Sequence, residues 1–244
     1  TPAFFSNNYN FGYVLEGTSA NAVIGSVSAT DADGDTLTYS LDNNFGGLFA
    51  KDSATGAISV TTTIDDDQIG DYTLGVTVSD GEGGLDTATV DVSLTNVNPT
   101  GYISNQQSND SDVISMDISQ GFDDTGSNAL TYAITSGELP VGLTLDGDTG
   151  VISGTIASNA SDATDDNDNT QAYPITITAT DGNGGTVDAS FTWTVNNTTP
   201  AFFSNNYNFG YVLEGTSANA VIGSVSATDA DGDTLTYSLD NNFG

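Results

Sequence analysis

The chain has 244 residues, with 29 Asp, 4 Glu, a single basic residue (Lys51), no His and no Cys, and a formal net charge of −32. That balance excludes nucleic acid held by phosphate neutralisation and binding to anionic lipid, and it leaves no Ser/His/Asp or Cys/His nucleophile and no zinc site of the usual kind. No apolar run nears the ~20 residues that cross a bilayer and residue 1 opens no signal peptide, so the chain reads as a soluble interior segment, with no membrane insertion and no enzymatic centre.

The acid is nearly all Asp. A generic acidic coat uses both carboxylates, whereas Asp favours turns, where its short side chain bonds nearby backbone. Asp-rich turns in a chain free of His and Cys point to hard oxygen ligands for calcium. A disordered acidic tail does not fit, because the chain is 36% hydrophobic and carries 11 Phe and 10 Tyr.

In chain order, the first feature is the aromatic run Phe4, Phe5, Tyr9, Phe11 and Tyr13. It reads as strand and linker packing ahead of a surface that stacks sugar rings. DADGD at 31–35 looks like half of an EF-hand loop, but no Glu stands at the twelfth position and no helix flanks it. TGAIS at 55–59 and TVSDGEGG at 77–84 lead to a segment in which Ala88, Val90, Val92 and Leu94 alternate with polar residues. That period of two predicts a strand with one face in a core. TNVNPT closes the first half. The second half repeats these features at a distance: LTY at 37–39 returns at 130–132, TGVIS stands at 149–153, and TATDGNGG at 178–185. Its closing strand alternates through Ala189, Phe191, Trp193 and Val195, and NNTTPA ends it.

Residues 199–244 then reproduce residues 1–46 without a difference, at an offset of 198. The expectation is a tandem array with a 198-residue unit. Residues 1–99 and 100–198 are each the size of one sandwich, and 199–244 are the first part of the next repeat. No segment keeps a helical period, so the fold class is all-β, built of tandem antiparallel Greek-key β-sandwiches of about seven strands each. Residues 199–244 hold perhaps three of those strands, too few to bury a core alone.

The first half resembles a bacterial-type cadherin repeat. The resemblance lies in Pro2, Phe4, Tyr9 and Glu16, in ATDADGDTLTYSL at 29–41, in FAKDSATGAISV at 49–60 and in VTVSDGEGG at 76–84. The second half, with LPVGLTLDGDTGVISGT at 139–155 and ITATDGNGGTVDASFTWTV at 177–195, is similar to dystroglycan-type cadherin-like domains. Such pairs occur in large secreted or surface-attached bacterial proteins, which implies an extracellular location. The resemblance also implies calcium at the domain junctions. At the first junction its ligands would be Glu16, Asp65 and Asp67, then linker residues Asn96 and Asn98, then Asp123 or Asp124 with Asp181. At the next they would be Asp166 and Asp168, Asn196 and Asn197, then Asp229 and Asp231, with Glu214 repeating Glu16. Asp31, Asp33 and Asp80 would face whatever precedes residue 1. Two departures stand out: Gly126 aligns with Asp33, and the linkers carry no carboxylate. Fewer charged ligands imply weaker binding, or sites contained within one domain.

The function expected is a calcium-stiffened structural repeat of a giant extracellular adhesin or filament. Its partners are neighbouring repeats of the same chain and further copies, associating into fibres or between cells. The alternative is a calcium-dependent module that binds polysaccharide or its own kind.

Overall fold

The computed structural model describes residues 1–162 and 170–239. The first 95 residues form nine strands: β1 (Pro2–Phe4), β2 (Asn8–Leu15), β3 (Val23–Ser26), β4 (Ala29–Asp31), β5 (Thr38–Leu41), β6 (Phe49–Lys51), β7 (Ala57–Val60), β8 (Gly70–Ser79) and β9 (Leu85–Thr95). They make a four-stranded sheet, in the order β2-β9-β8-β5, a three-stranded sheet, β3-β7-β6, and a short β1-β4 ladder. The chain crosses between the two sheets from β2 to β3, from β5 to β6 and from β7 to β8, while β6–β7 and β8–β9 are hairpins within one sheet, as in a Greek-key sandwich.

The long strands follow from their alternation. On β8, Leu74, Val76 and Val78 are buried, and on β9 Ala88, Val90, Val92 and Leu94 are buried, while the residues between them are partly exposed. Each such side chain contributes roughly 1.5–3 kcal/mol on burial. The hairpin between the two strands turns through Asp80–Gly84, where Asp80 Oδ1 accepts the N–H groups of Glu82 and Gly84. Pairing is antiparallel throughout this sandwich except between β2 and β9, which run parallel through seven residue pairs from Asn8↔Thr89 to Leu15↔Thr95.

The second set of strands repeats the plan: β10 (Thr100–Gly101), β11 (Gln106–Asn109), β12 (Val113–Asp117), β13 (Phe122–Asp123), β14 (Thr131–Ser136), β15 (Leu143–Leu145), β16 (Val151–Thr155), β17 (Thr170–Thr180) and β18 (Thr186–Asn196). Its sheets are β11-β18-β17-β14, β12-β16-β15 and the short β10-β13 pair. Again one pair is parallel, β11 with β18, but over four residue pairs only. Ile175, Ile177 and Ala179 on β17 and Ala189, Phe191, Trp193 and Val195 on β18 are all buried and line its core from the same sheet.

By compactness the chain divides into two units. One holds Thr1–Gly101, Phe122–Thr131 and Ala179–Val187; the other holds Tyr102–Gly121, Tyr132–Thr178 and Asp188–Gly244. The loop ends at 122–131 and 179–187 therefore group with the first sandwich. Beyond β18 the described residues hold only β19 (Ala201–Phe202), paired with β20 (Ala227–Thr228).

Candidate metal centres

In the first unit, β2 delivers Glu16 to the end of the sheet, where the Glu16 N–H donates to Thr95 O at 2.9 Å. A short 3₁₀ turn, Asp66–Gln68, stands beside it. Asp65 caps the turn: its Oδ1 accepts the Asp66 N–H at 2.9 Å, and Gln68 Oε1 accepts the Asp65 N–H at 2.8 Å. This reciprocal cap fixes which way each carboxylate points. Asp66 turns inward and is 5% exposed, while Asp67 turns to solvent. The expected pair of Asp65 with Asp67 is therefore replaced by Asp65 with Asp66. The reason is the tight turn, which puts adjacent residues on opposite sides.

Residues 122–131 and 179–187 close over this cluster. The Ser127 N–H donates to Asp65 Oδ1 at 2.8 Å, the Asn128 N–H to Asp66 Oδ2 at 2.8 Å, and Asn183 Nδ2 to Asp66 Oδ1 at 2.6 Å. From the linker, the Val97 N–H donates to Glu16 Oε2 at 3.0 Å and Asn96 Nδ2 to Asp181 Oδ2 at 2.7 Å. Gly126 passes so close that a Cβ there would strike Asp66 Oδ2 and Glu16 Oε1. The glycine that departs from the D-x-D pattern is thus what lets this backbone reach the acids.

Several oxygens in the cluster stay without a donor. Glu16 Oε1, Asn96 Oδ1 and Asp124 Oδ2 are buried and unpartnered, and they come from three separate segments. Burial pushes the Glu16 carboxyl above its ordinary range; the Val97 N–H holds back part of the rise, and Asp66, Asp124 and Asp65 add to it. Burial likewise raises Asp124, opposed by the Thr125 N–H and reinforced by Asp181, Asp66 and Asp123. Burial works against Asp181 too, but the Asn96 amide and the N–H groups of Asn183, Gly185 and Gly184 outweigh it and hold that carboxyl low. Acceptor-only oxygens that are dehydrated and mutually repelling suit a hard divalent cation, which accepts both lone pairs and charge. Asp123 and Asn98 lie exposed, outside this set.

A second cluster joins Asp31, Asp35 and Asp80. Asp31 Oδ2 is buried there without a donor. Asp33 lies outside this cluster, its side chain 76% exposed. The Asp33 N–H bonds Asp31 Oδ1 at 2.8 Å and is the main reason the Asp31 carboxyl sits low.

The third cluster lies in the second unit and joins Asp229, Asp231 and Asp233. Asp231 is 8% exposed; its Oδ2 accepts the Thr198 N–H at 3.1 Å, and its Oδ1 and Asn197 Oδ1 are buried without a donor. Asn196 Nδ2 instead bonds Ser108 O at 3.3 Å. Glu214 is exposed and outside the cluster, because no sheet end forms beside it. Asp166 and Asp168 lie outside the described residues.

Asp66, Asp35 and Asp233 were not named from sequence. Asp35 and Asp233 were legible as the third acid of D-x-D-G-D, whereas Asp66 could be found only from the turn. Asp110 occupies the place of Glu16 in the second sandwich, since its N–H donates to Asn196 O at 3.0 Å as Glu16 does to Thr95 O. Its carboxylate is already satisfied by the N–H and hydroxyl of Ser161.

Residues 11–95 match the cadherin-domain family model, and residues 95–196 match the Ig-like He_PIG domain. The chain is a tandem of cadherin-like repeats. Among solved structures it is similar to mouse cadherin-23 EC22-24 (21% identity, 80% of this chain and 63% of that one, TM-score 0.40). It is similar also to Drosophila N-cadherin EC1-4 (17%, 80% and 49%, TM-score 0.42) and to human protocadherin-24 EC1-2 (17%, 80% and 99%, TM-score 0.40). The chain thus spans less than two thirds of the mouse and fly fragments, and at these TM-scores the family models alone carry the assignment. Cadherin and Ig-like domains are extracellular adhesion modules without enzymatic activity, and cadherin domains generally bind calcium. The cadherin-like repeats here carry acidic clusters able to hold a metal. No helix among the described residues is long and apolar enough to cross a membrane.

Proposed function

We propose that this chain is a calcium-stiffened structural repeat of a large extracellular adhesin or filament. The observation that carries the reading is the set of buried, donorless oxygens on Glu16, Asn96 and Asp124, gathered with Asp65, Asp66 and Asp181 in a chain that has one lysine and no arginine. Glu16, Asp66, Asp124 and Asn96 would hold the ion, with Asp65 and Asp181 beside them. A bound divalent ion would supply the positive charge that turns repulsion between these segments into a crosslink. Asp31, Asp35 and Asp80 would form a second site, and Asp229, Asp231 and Asp233 with Asn197 a third. The building block is the 198-residue unit, divided between residues 99 and 100, and the exact recurrence of residues 1–46 at 199–244 favours a spacer whose length matters. Self-association of such arrays into fibres or between cells is the partner relation that follows.

Extracellular calcium modules work at Kd of about 10⁻⁴–10⁻³ M. At 100 times Kd each site adds about 2.7 kcal/mol to the folded state. Calcium bound per chain by equilibrium dialysis, followed by melting with and without chelator, tests the reading. At least two ions per chain are expected, with a melting temperature that falls on chelation. An unchanged melting temperature at millimolar calcium overturns it.

A further inference from the structure

Asp67, which the 66–68 turn carries away from the acidic cluster, lines an open groove of about 550 Å³ with Phe45, Gly47, Thr62, Gln68 and Tyr72. That volume is within the range of small-ligand sites. One wall is aromatic. The Phe45 ring meets Tyr72 edge-on at 5.0 Å and Phe49 at 6.1 Å, and Phe45 keeps 37% of its surface exposed. Its backbone has φ +49°, a left-handed conformation that bulky residues seldom hold. Asn43 Oδ1 and Asn44 Oδ1 pin it by accepting the N–H groups of Phe45 and Gly47. Such strain persists only where the surroundings impose it, as at ligand sites. The other wall is polar, lined by Asp67, Gln68 and Thr62, with the Gln68 Oε1 already engaged by the Asp65 N–H.

An aromatic ring opposite acceptors calls for a ligand with an apolar face and hydroxyl edges. The net charge of −32 repels anionic ligands, and a carboxylate acceptor needs hydroxyl donors. We propose that this groove is a binding subsite for a neutral sugar ring of a polysaccharide, stacked on Phe45 and hydrogen-bonded through its hydroxyls to Asp67. The turn that offers Asp67 and Gln68 to the groove also offers Asp65 and Asp66 to the acidic cluster. An ion in that cluster therefore fixes the polar wall, and this coupling rests on the calcium reading given above.

Affinity electrophoresis of the whole chain tests the site, in gels containing xylan, mixed-linkage β-glucan, starch or galactomannan, with alginate as the anionic control. Retardation by at least one neutral polysaccharide and none by alginate is expected. Phe45→Ala and Asp67→Asn should each weaken it about tenfold. Asp67 is exposed, so D67N leaves the fold intact and keeps the test open if F45A misfolds. Bound calcium should be unchanged in D67N, which separates this site from the metal centres. Absence of retardation by all four, or retardation that F45A and D67N both leave intact, overturns the site even if calcium binds. Retardation of equal strength in calcium and in chelator overturns the coupling.

Discussion

The same 46 residues occur twice in this chain and fold to two different extents. In residues 1–46 they give strands β1 to β5, with Phe4, Val14 and Tyr39 each 8% exposed. In residues 199–244 the equivalents Phe202, Val212 and Tyr237 are 56%, 54% and 53% exposed, and among the described residues only β19 and β20 form. What both copies keep is local. The Tyr9 hydroxyl donates to Ser28 O at 2.8 Å and Tyr207 to Ser226 O at 2.7 Å. The ring pair Phe4–Tyr9 stands at 6.2 Å and Phe202–Tyr207 at 6.3 Å. The first copy's strands are held by β6 to β9, and among the described residues no such strands accompany the second copy. A strand whose hydrogen bonds go to β9 does not exist without β9.

The strongest way to erase the difference is to append a second copy of residues 47–99 after Gly244. Amide exchange at Tyr207–Leu213 should then slow by about a thousandfold or more, as local opening rises from near zero toward the ~5 kcal/mol of a stable domain. Next comes one substitution made in both copies. Phe4→Ala should cost about 3–5 kcal/mol in a denaturant melt, and Phe202→Ala no more than ~0.5 kcal/mol. Equal costs would mean that the second copy is as folded as the first.

A smaller contrast concerns the acids. Glu16→Gln should remove about 2–3 kcal/mol in saturating calcium and be neutral or slightly stabilising in chelator, because it also removes a buried, repelled charge. Glu214→Gln should change neither melt. The smallest effect is on pH. In chelator the raised Glu16 and Asp124 carboxyls bind protons more tightly folded than unfolded, so stability should decline as pH rises from about 4 toward 7. Calcium, which needs both groups ionised, should reverse that slope.

The sandwich plan was readable because alternation over Ala88–Leu94 and Ala189–Val195 leaves one face apolar, and burial follows that face directly. The acid-bearing turns were readable for the same kind of reason, since Asp in D-x-D and D-G loops bonds its own backbone. Asp67 was not readable. Whether Asp66 or Asp67 turns inward depends on a capping box between Asp65 and Gln68, and three consecutive Asp residues look alike without it. Nor could the role of Gly126 be read, because it depends on Asp66 and Glu16, 60 and 110 positions away. The groove at Phe45 escaped notice because its aromatic ring and its acid meet only after the chain has crossed between the sheets.

The parallel alignment of β2 with β9 has a mechanical consequence. Tension applied at the two ends of the first sandwich pulls these strands in opposite directions along their length, loading their seven paired residues together in shear instead of peeling them one at a time. The second sandwich has four such pairs, between β11 and β18. Under a common pulling force it is expected to give way first, so that of the two sandwiches one would lengthen while the other holds.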